Sequence, residues 1–132
     1  MRNHRKDLVV YRISDSKEKL LSAEILFKNK QFKDSVSRSY YAMFSATRAL
    51  LATKKLDSSK HSGVISLFNQ HFVKKEIVSK KAGRILMDAR EVREEGDYGD
   101  LIIISKKEAE RQLKQAKEFI KEIEKAIKNA KH

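Results

Sequence analysis

Proline is absent from this chain of 132 residues, and glycine occurs only four times. Both residues interrupt regular structure, proline by removing an amide donor and glycine by its conformational entropy. A chain almost free of them favours long helices with short connections. The apolar pattern agrees. Residues 6–29 place Val9, Ile13, Leu20, Ala23 and Phe27 on one face at helical spacing. The stretch "SDSKE" (14–18) offers Asp15 as an N-cap with Glu18 three residues on, which predicts a kink or a separate first segment there. Residues 32–53 carry Phe32, Val36, Tyr40, Met43, Thr47 and Leu50 on a main face, with small Ala42, Ser45 and Ala49 elsewhere. Apolar and small residues on more than one side mark a central helix.

The segment "LDSSKHSG" (56–63) supplies cap residues for a shorter helix bearing Val64, Ile65, Phe68 and Phe72. A fourth helix is expected over about 79–96. Ser105 with Glu108 forms a capping box for a fifth, whose stripe is Ala109, Leu113, Ala116, Ile120, Ile123 and Ile127. Strand-like alternation and a solenoid-type repeat are both missing. The expected fold is all-α: an antiparallel up-down bundle of four to five helices, in a single domain over 1–132.

Several function classes are disfavoured. No stretch approaches the roughly 18 uninterrupted apolar residues of a membrane span; "DLIIIS" (100–105) holds only four. The opening "MRNHRKDLVV" lacks a signal-peptide core, so a cytoplasmic protein is expected. Without cysteine there are no disulfides or thiolate metal sites. His4, His61, His71 and His132 do not share a metal-ligand spacing, so no metal and no other cofactor is expected. Gly-rich phosphate loops and nucleophile elbows are also missing. The formal charge of +12 favours an anionic partner, nucleic acid ahead of a membrane surface.

Against this background a few residues are out of place. On a helical grid Arg93 falls in the middle of the sector formed by Ala82, Leu86, Ala89 and Gly96. A guanidinium facing a core or groove needs partners, because an unpaired buried charge costs several kcal/mol, to order of magnitude. Asp97, at i+4, is the nearest carboxylate. Two readings stay open: an ion pair that pins the helix end, with Gly96 and Gly99 terminating it, or a groove-facing arginine that holds a phosphate beside Asp97 and Tyr98. Tyr41, Ser45 and Arg48 form a second polar stripe, able to bind phosphate or to be half-buried packing. His61 opens the third helix, where the neutral imidazole is favoured and suits proton transfer.

Three segments, "SVSRSYYAMFSATRALL" (35–51), "KHSGVISLF" (60–68) and "REVREEGDYGD" (90–100), together resemble the HEPN family, the higher-eukaryote and prokaryote nucleotide-binding domains. The likeness is to its small prokaryotic branch and spans roughly 15–130. It implies a bundle of four or five helices, homodimerisation around a polar groove, and an RNA or nucleotide ligand. Many members of the family are metal-independent endoribonucleases of toxin–antitoxin, RNA-processing or defence systems; others pair with a small nucleotidyltransferase. The family's active motif is an arginine followed, after four to six residues, by a histidine. Arg93 matches the arginine, but "EEGDYGD" stands where the histidine belongs, and Ser45 occupies another position where relatives often carry one.

The resulting expectation is an RNA- or nucleotide-binding protein of a toxin–antitoxin-like or nucleotidyltransferase-linked module, with at most weak ribonuclease activity. Arg93, Asp97 and His61 are its candidate catalytic residues. Tyr41, Ser45, Arg48, Arg90 and Tyr98 are its candidate binding residues. The alternatives are a catalytically silent partner subunit of a small nucleotidyltransferase and an active metal-independent endoribonuclease.

Overall fold

The computed structural model describes residues 4–98 and 103–130, with backbone alone at Tyr98. The chain forms α1 (His4–Lys28), α2 (Phe32–Ala52), α3 (His61–Phe68), α4 (Lys80–Tyr98) and α5 (Lys106–Asn129). A turn of π-helix over Asn69–Val73 continues α3. Among the described residues there is no strand, and no helix is long and apolar enough to cross a membrane.

The all-α bundle is as expected, and α2 is its centre, packed against α1, α3, α4 and α5. Tyr40, Met43 and Leu50 on its main face, and Ala42 and Ala49 away from it, are all fully buried. Around them close Val64, Phe68, Phe72, Leu86, Phe119 and Ile123, each side chain of this size contributing about 1.5–3 kcal/mol on burial. A smaller cluster of Val36, Val92 and Ala109, with Phe27, Phe32 and Ile104 against it, fills another part of the bundle.

The expected break near Asp15 does not occur, since α1 runs uninterrupted through it. Asp15 is engaged by Lys19 and by Ser45 on α2, so its carboxylate is not available to cap a new helix. Small residues bring α1 and α2 close. Ser16 Oγ donates to the Ala42 carbonyl at 2.6 Å, and Ser35 Oγ donates to the Ala23 carbonyl at 2.8 Å.

Helix ends use backbone geometry more than glycine. Lys30, Lys55 and Glu76 take positive φ, and each is followed by an amide that reaches back five residues: Gln31 to Leu26, Leu56 to Leu51 and Ile77 to Phe72. These are Schellman-type closures with side chains where glycine is usual. Gly96 does not end α4, as expected from its position; it is buried inside the helix, which continues to Tyr98. Gly99 lies outside the described residues. Ser105 caps α5 as expected, its Oγ accepting from the Glu108 amide at 3.0 Å. Ahead of α4, Ser79 Oγ accepts from the Ala82 amide, and Glu122 of α5 accepts from both the Ser79 amide and hydroxyl.

Candidate functional site

Two polar clusters lie along α2, and the candidate residues divide between them. The first surrounds Asp15 and Asp57. Ser45 Oγ donates to Asp15 Oδ2 at 2.7 Å. Arg48 donates through Nε and Nη2 to Asp57, and Arg12 reaches the same carboxylate at 3.1 Å and the Arg48 carbonyl at 3.0 Å. Burial would raise both carboxyls. At Asp15 the hydrogen bonds from Lys19 and Ser45 overcome that effect; at Asp57 those from Arg48, the Ser58 amide and Arg12 do. Both groups are held below the ordinary 3.8. Ser45 and Arg48 thus share a helical stripe with Tyr41 but are bound up with Asp15 and Asp57.

The second cluster lies where α2, α3 and α4 meet. Tyr40 and Tyr41 are successive residues of α2, and their rings meet edge to face with centroids 5.2 Å apart. His61, the first residue of α3, packs against both: its Nδ1 and the Tyr40 hydroxyl lie 2.9 Å apart. Its ring stacks on Phe44 with centroids 4.3 Å apart and meets Tyr41 edge-on at 5.8 Å. From α4, the Arg93 guanidinium sits 5.1 Å from the centre of the Tyr41 ring and 5.8 Å from that of Tyr40, within cation–π range.

Arg93 makes the ion pair of the first reading. Its Nη2 pairs with Asp97 at 3.0 Å, so the helix-end ion pair exists. The side chain keeps 19% of its surface exposed and shares the Tyr41 ring with His61. Its Nε–H is buried with no acceptor among the described residues, an arrangement that typically costs about 1–3 kcal/mol. Arg90, one turn earlier, pairs with Glu94 at 3.0 Å. Tyr98 ends α4, and its side chain lies outside the described residues.

The cluster tunes its own protonation. Burial is the chief reason His61 titrates below its ordinary 6.5; the charges of Arg93, Arg90 and Arg48 push the same way, and Glu94 opposes them. The neutral imidazole anticipated from the helix start is favoured, though mainly by burial. Burial also pushes the Tyr40 phenol up to about 12, so it stays protonated at neutral pH. Neutral His61 can therefore pair with Tyr40 in two ways. With the phenol donating to Nδ1, Nε2–H becomes a donor toward a ligand; with Nδ1–H donating to the phenolic oxygen, Nε2 is free to accept a proton.

The structure thus brings together Tyr41, His61, Arg93, Asp97 and Arg90, and adds Phe44 and Tyr40, the latter assigned to packing by the sequence pattern. A signal for Tyr40 was present: a phenol on the most buried face of the central helix needs a hydrogen-bond partner. Glycine also shapes the approach of α3. A Cβ at Gly63 would lie 2.8 Å from Ser58 Cβ, so only glycine lets the Asp57–Lys60 loop fold onto the turn that carries His61.

The HEPN domain family model matches residues 9–126. A UPF0332 protein of Thermotoga maritima is 36% identical over 129 residues, covering 98% of each chain. A protein of Methanocaldococcus jannaschii named "putative toxin" is 39% identical over 116 residues, 88% of this chain and 86% of its own. A second so named from that organism is 35% identical over 117 residues, 88% of this chain and 80% of its own.

Proposed function

The chain belongs to the HEPN domain family, and from that premise we propose that it is a toxin-like protein whose Arg93–His61 cluster binds RNA. The observation that carries this reading is the convergence of His61 and Arg93 on one aromatic wall, Tyr41, with Tyr40 fixing the imidazole. The names of two relatives from Methanocaldococcus jannaschii, each containing the word toxin, support the broader assignment. The surplus of 30 basic over 18 acidic residues supports the anionic ligand.

His61 takes the place of the histidine missing after Arg93. For cleavage, its Nε2 accepts the proton of a ribose 2′-OH as that oxygen attacks the adjacent phosphorus and the 5′-oxygen departs. Arg93, steered by Asp97, donates hydrogen bonds to the phosphoryl oxygens as negative charge builds there. The Arg93–Asp97 pair must open or share its N–H groups for this, which keeps any cleavage weak. Arg90 and Tyr41 hold the ligand through charge and stacking, and Tyr98 extends that role. Ser45 and Arg48 reinforce the scaffold beside it.

The test is binding of a labelled single-stranded RNA at about 50 mM and about 300 mM salt, with steep weakening expected as counterions cease to be released. Arg93→Ala should lose about tenfold in affinity, equivalent to about 1.4 kcal/mol. Incubation with RNA in EDTA should yield slow cleavage that Arg93→Ala and His61→Gln abolish. Salt-independent binding, or equal binding by wild type and Arg93→Ala, overturns the assignment.

A second reading has its own support. α1 leaves Val10 and Tyr11 each 68% exposed, with Leu21 and Ile25 more than half exposed on the same side. Such a surface suits a protein partner, either a second copy or the small nucleotidyltransferase implied by the resemblance. Co-purification with a nucleotidyltransferase, combined with a lack of RNA affinity, would favour the silent partner-subunit role.

A further inference from the structure

A groove of about 560 Å³ opens beside the cluster, between α4 and the α3–π segment. One wall presents Ser62, Ser66, Asn69 and Gln70; the other presents Arg90 and Met87. A second groove of about 410 Å³ shares Asn69 and Met87 with it and carries on toward Lys80 and Arg84. Together they make one channel along α4, and its near end is Arg90, whose charge acts on both His61 and Tyr40. The π-turn at Asn69–Val73 forms part of its wall, and such turns occur frequently at functional sites. Gly83 keeps that wall close, since a Cβ there would press on Asn69 Oδ1 and Val73 Cγ2 at 3.3 Å.

The chemistry of the channel selects its ligand. Uncharged hydroxyl and amide groups line one side, while Lys74, Lys80 and Arg84 stand along it without an ion pair among the described residues. Of its two carboxylates, Asp88 is taken by Arg111 at 3.0 Å and by Gln112 at 2.9 Å, leaving Glu91 at the rim. Ile65, Val73 and Met87 add apolar surface on which bases can lie, and the unpaired cations favour an anionic strand over a neutral peptide. From Lys80 to Arg90 the helix rises about 15 Å, a length that stacked nucleotides fill with roughly four units at about 3.4 Å each.

We propose that this channel is the track for single-stranded RNA running on from the Arg93–His61 cluster. The track rests on the reading that the cluster binds RNA, and it adds that the substrate must extend several nucleotides along α4. Phosphates lie against Lys74, Lys80 and Arg84, while Ser62, Ser66, Asn69 and Gln70 meet ribose and base edges.

The experiment compares wild type, Arg93→Ala and the triple variant Lys74→Gln/Lys80→Gln/Arg84→Gln. Probes are a labelled dinucleotide, a single strand of about twelve nucleotides and its duplex. All three substituted side chains of the triple variant are exposed, and an unchanged thermal melt confirms its fold. The triple variant should lose about tenfold on the longer strand, with a salt slope shallower by about 0.7 per lost phosphate contact, and bind the dinucleotide like wild type. Wild-type protein that binds no RNA overturns the cluster reading and the track with it. Arg93-dependent binding that the triple variant leaves unchanged overturns the track alone. Duplex bound as tightly as single strand overturns the single-strand assignment.

Discussion

The two polar clusters on α2 are built from the same kinds of side chain but differ in how completely they are satisfied. Around Asp57, Arg12 and Arg48 converge on one carboxylate while Arg12 also reaches the Arg48 carbonyl; around Asp15, Lys19 and Ser45 share a carboxylate. Around His61, the Arg93 guanidinium lies over two aromatic faces, its buried Nε–H has no acceptor among the described residues, and the imidazole is held neutral. A saturated network contributes to stability and has little left for a ligand. An unsaturated one costs stability and is poised to gain from binding. The difference separates scaffold from site more clearly than residue type does.

The largest separation should come from opposing substitutions. Asp57→Ala strands Arg12, whose side chain is only 11% exposed, and leaves Arg48 unpaired. It should cost about 2 kcal/mol in urea denaturation while leaving RNA affinity within about twofold. Arg93→Ala should do the reverse, weakening RNA binding about tenfold and changing stability by less than about 1 kcal/mol, because it also removes the unsatisfied Nε–H. If both variants lose stability and affinity together, the division between scaffold and site is wrong.

The sequence made the bundle readable because helical periodicity and the lack of proline leave few alternatives, and the Ser105 cap depends on residues three apart. Arg93 was legible for the same reason: a charge on an apolar helical face can be located from one helix alone. The pairing of His61 with Tyr40 was not, because it depends on the crossing of α2 and α3. Nor was the separation of Tyr41 from Ser45 and Arg48, since 300° and 400° steps place them near one stripe yet different helices pack against each part of it. Asp15 misled for a related reason. Its local pattern is that of a cap, but the tertiary bond from Ser45 gives the carboxylate another use. The left-handed Lys30, Lys55 and Glu76 carry no sequence signal, because glycine is the residue expected there.

Acid should distinguish the clusters next. Because the folded-state value for His61 lies below 6.5, the unfolded chain takes up a proton first as pH falls. Stability is therefore full above about 6.5 and is lost progressively below it, through the folded value. Asp15 and Asp57, also depressed on folding, contribute stability above 3.8 that is lost only as pH falls through their still lower folded values. Urea midpoints measured from pH 8 to 5 should decline for wild type and decline less for His61→Asn; matching slopes would remove His61 as the source. The acid limb below pH 4 should persist in His61→Asn and diminish in Asp57→Ala.

The smallest effect tests whether Ser45 belongs with the scaffold. Its hydroxyl donates to Asp15 at 2.7 Å, one of the hydrogen bonds that hold that carboxyl low, and Lys19 remains when the hydroxyl is removed. Ser45→Ala should therefore cost about 1 kcal/mol, near the lower end for a hydrogen bond to a charged group. The Asp15 carboxyl should move up toward its ordinary value, visible by NMR titration as a protonation midpoint at higher pH. RNA affinity should match wild type, because Ser45 faces Asp15 and α1 while His61 and Arg93 meet around Tyr41. A tenfold loss of affinity with unchanged stability would reassign Ser45 to the site and extend that site along α2 past Phe44.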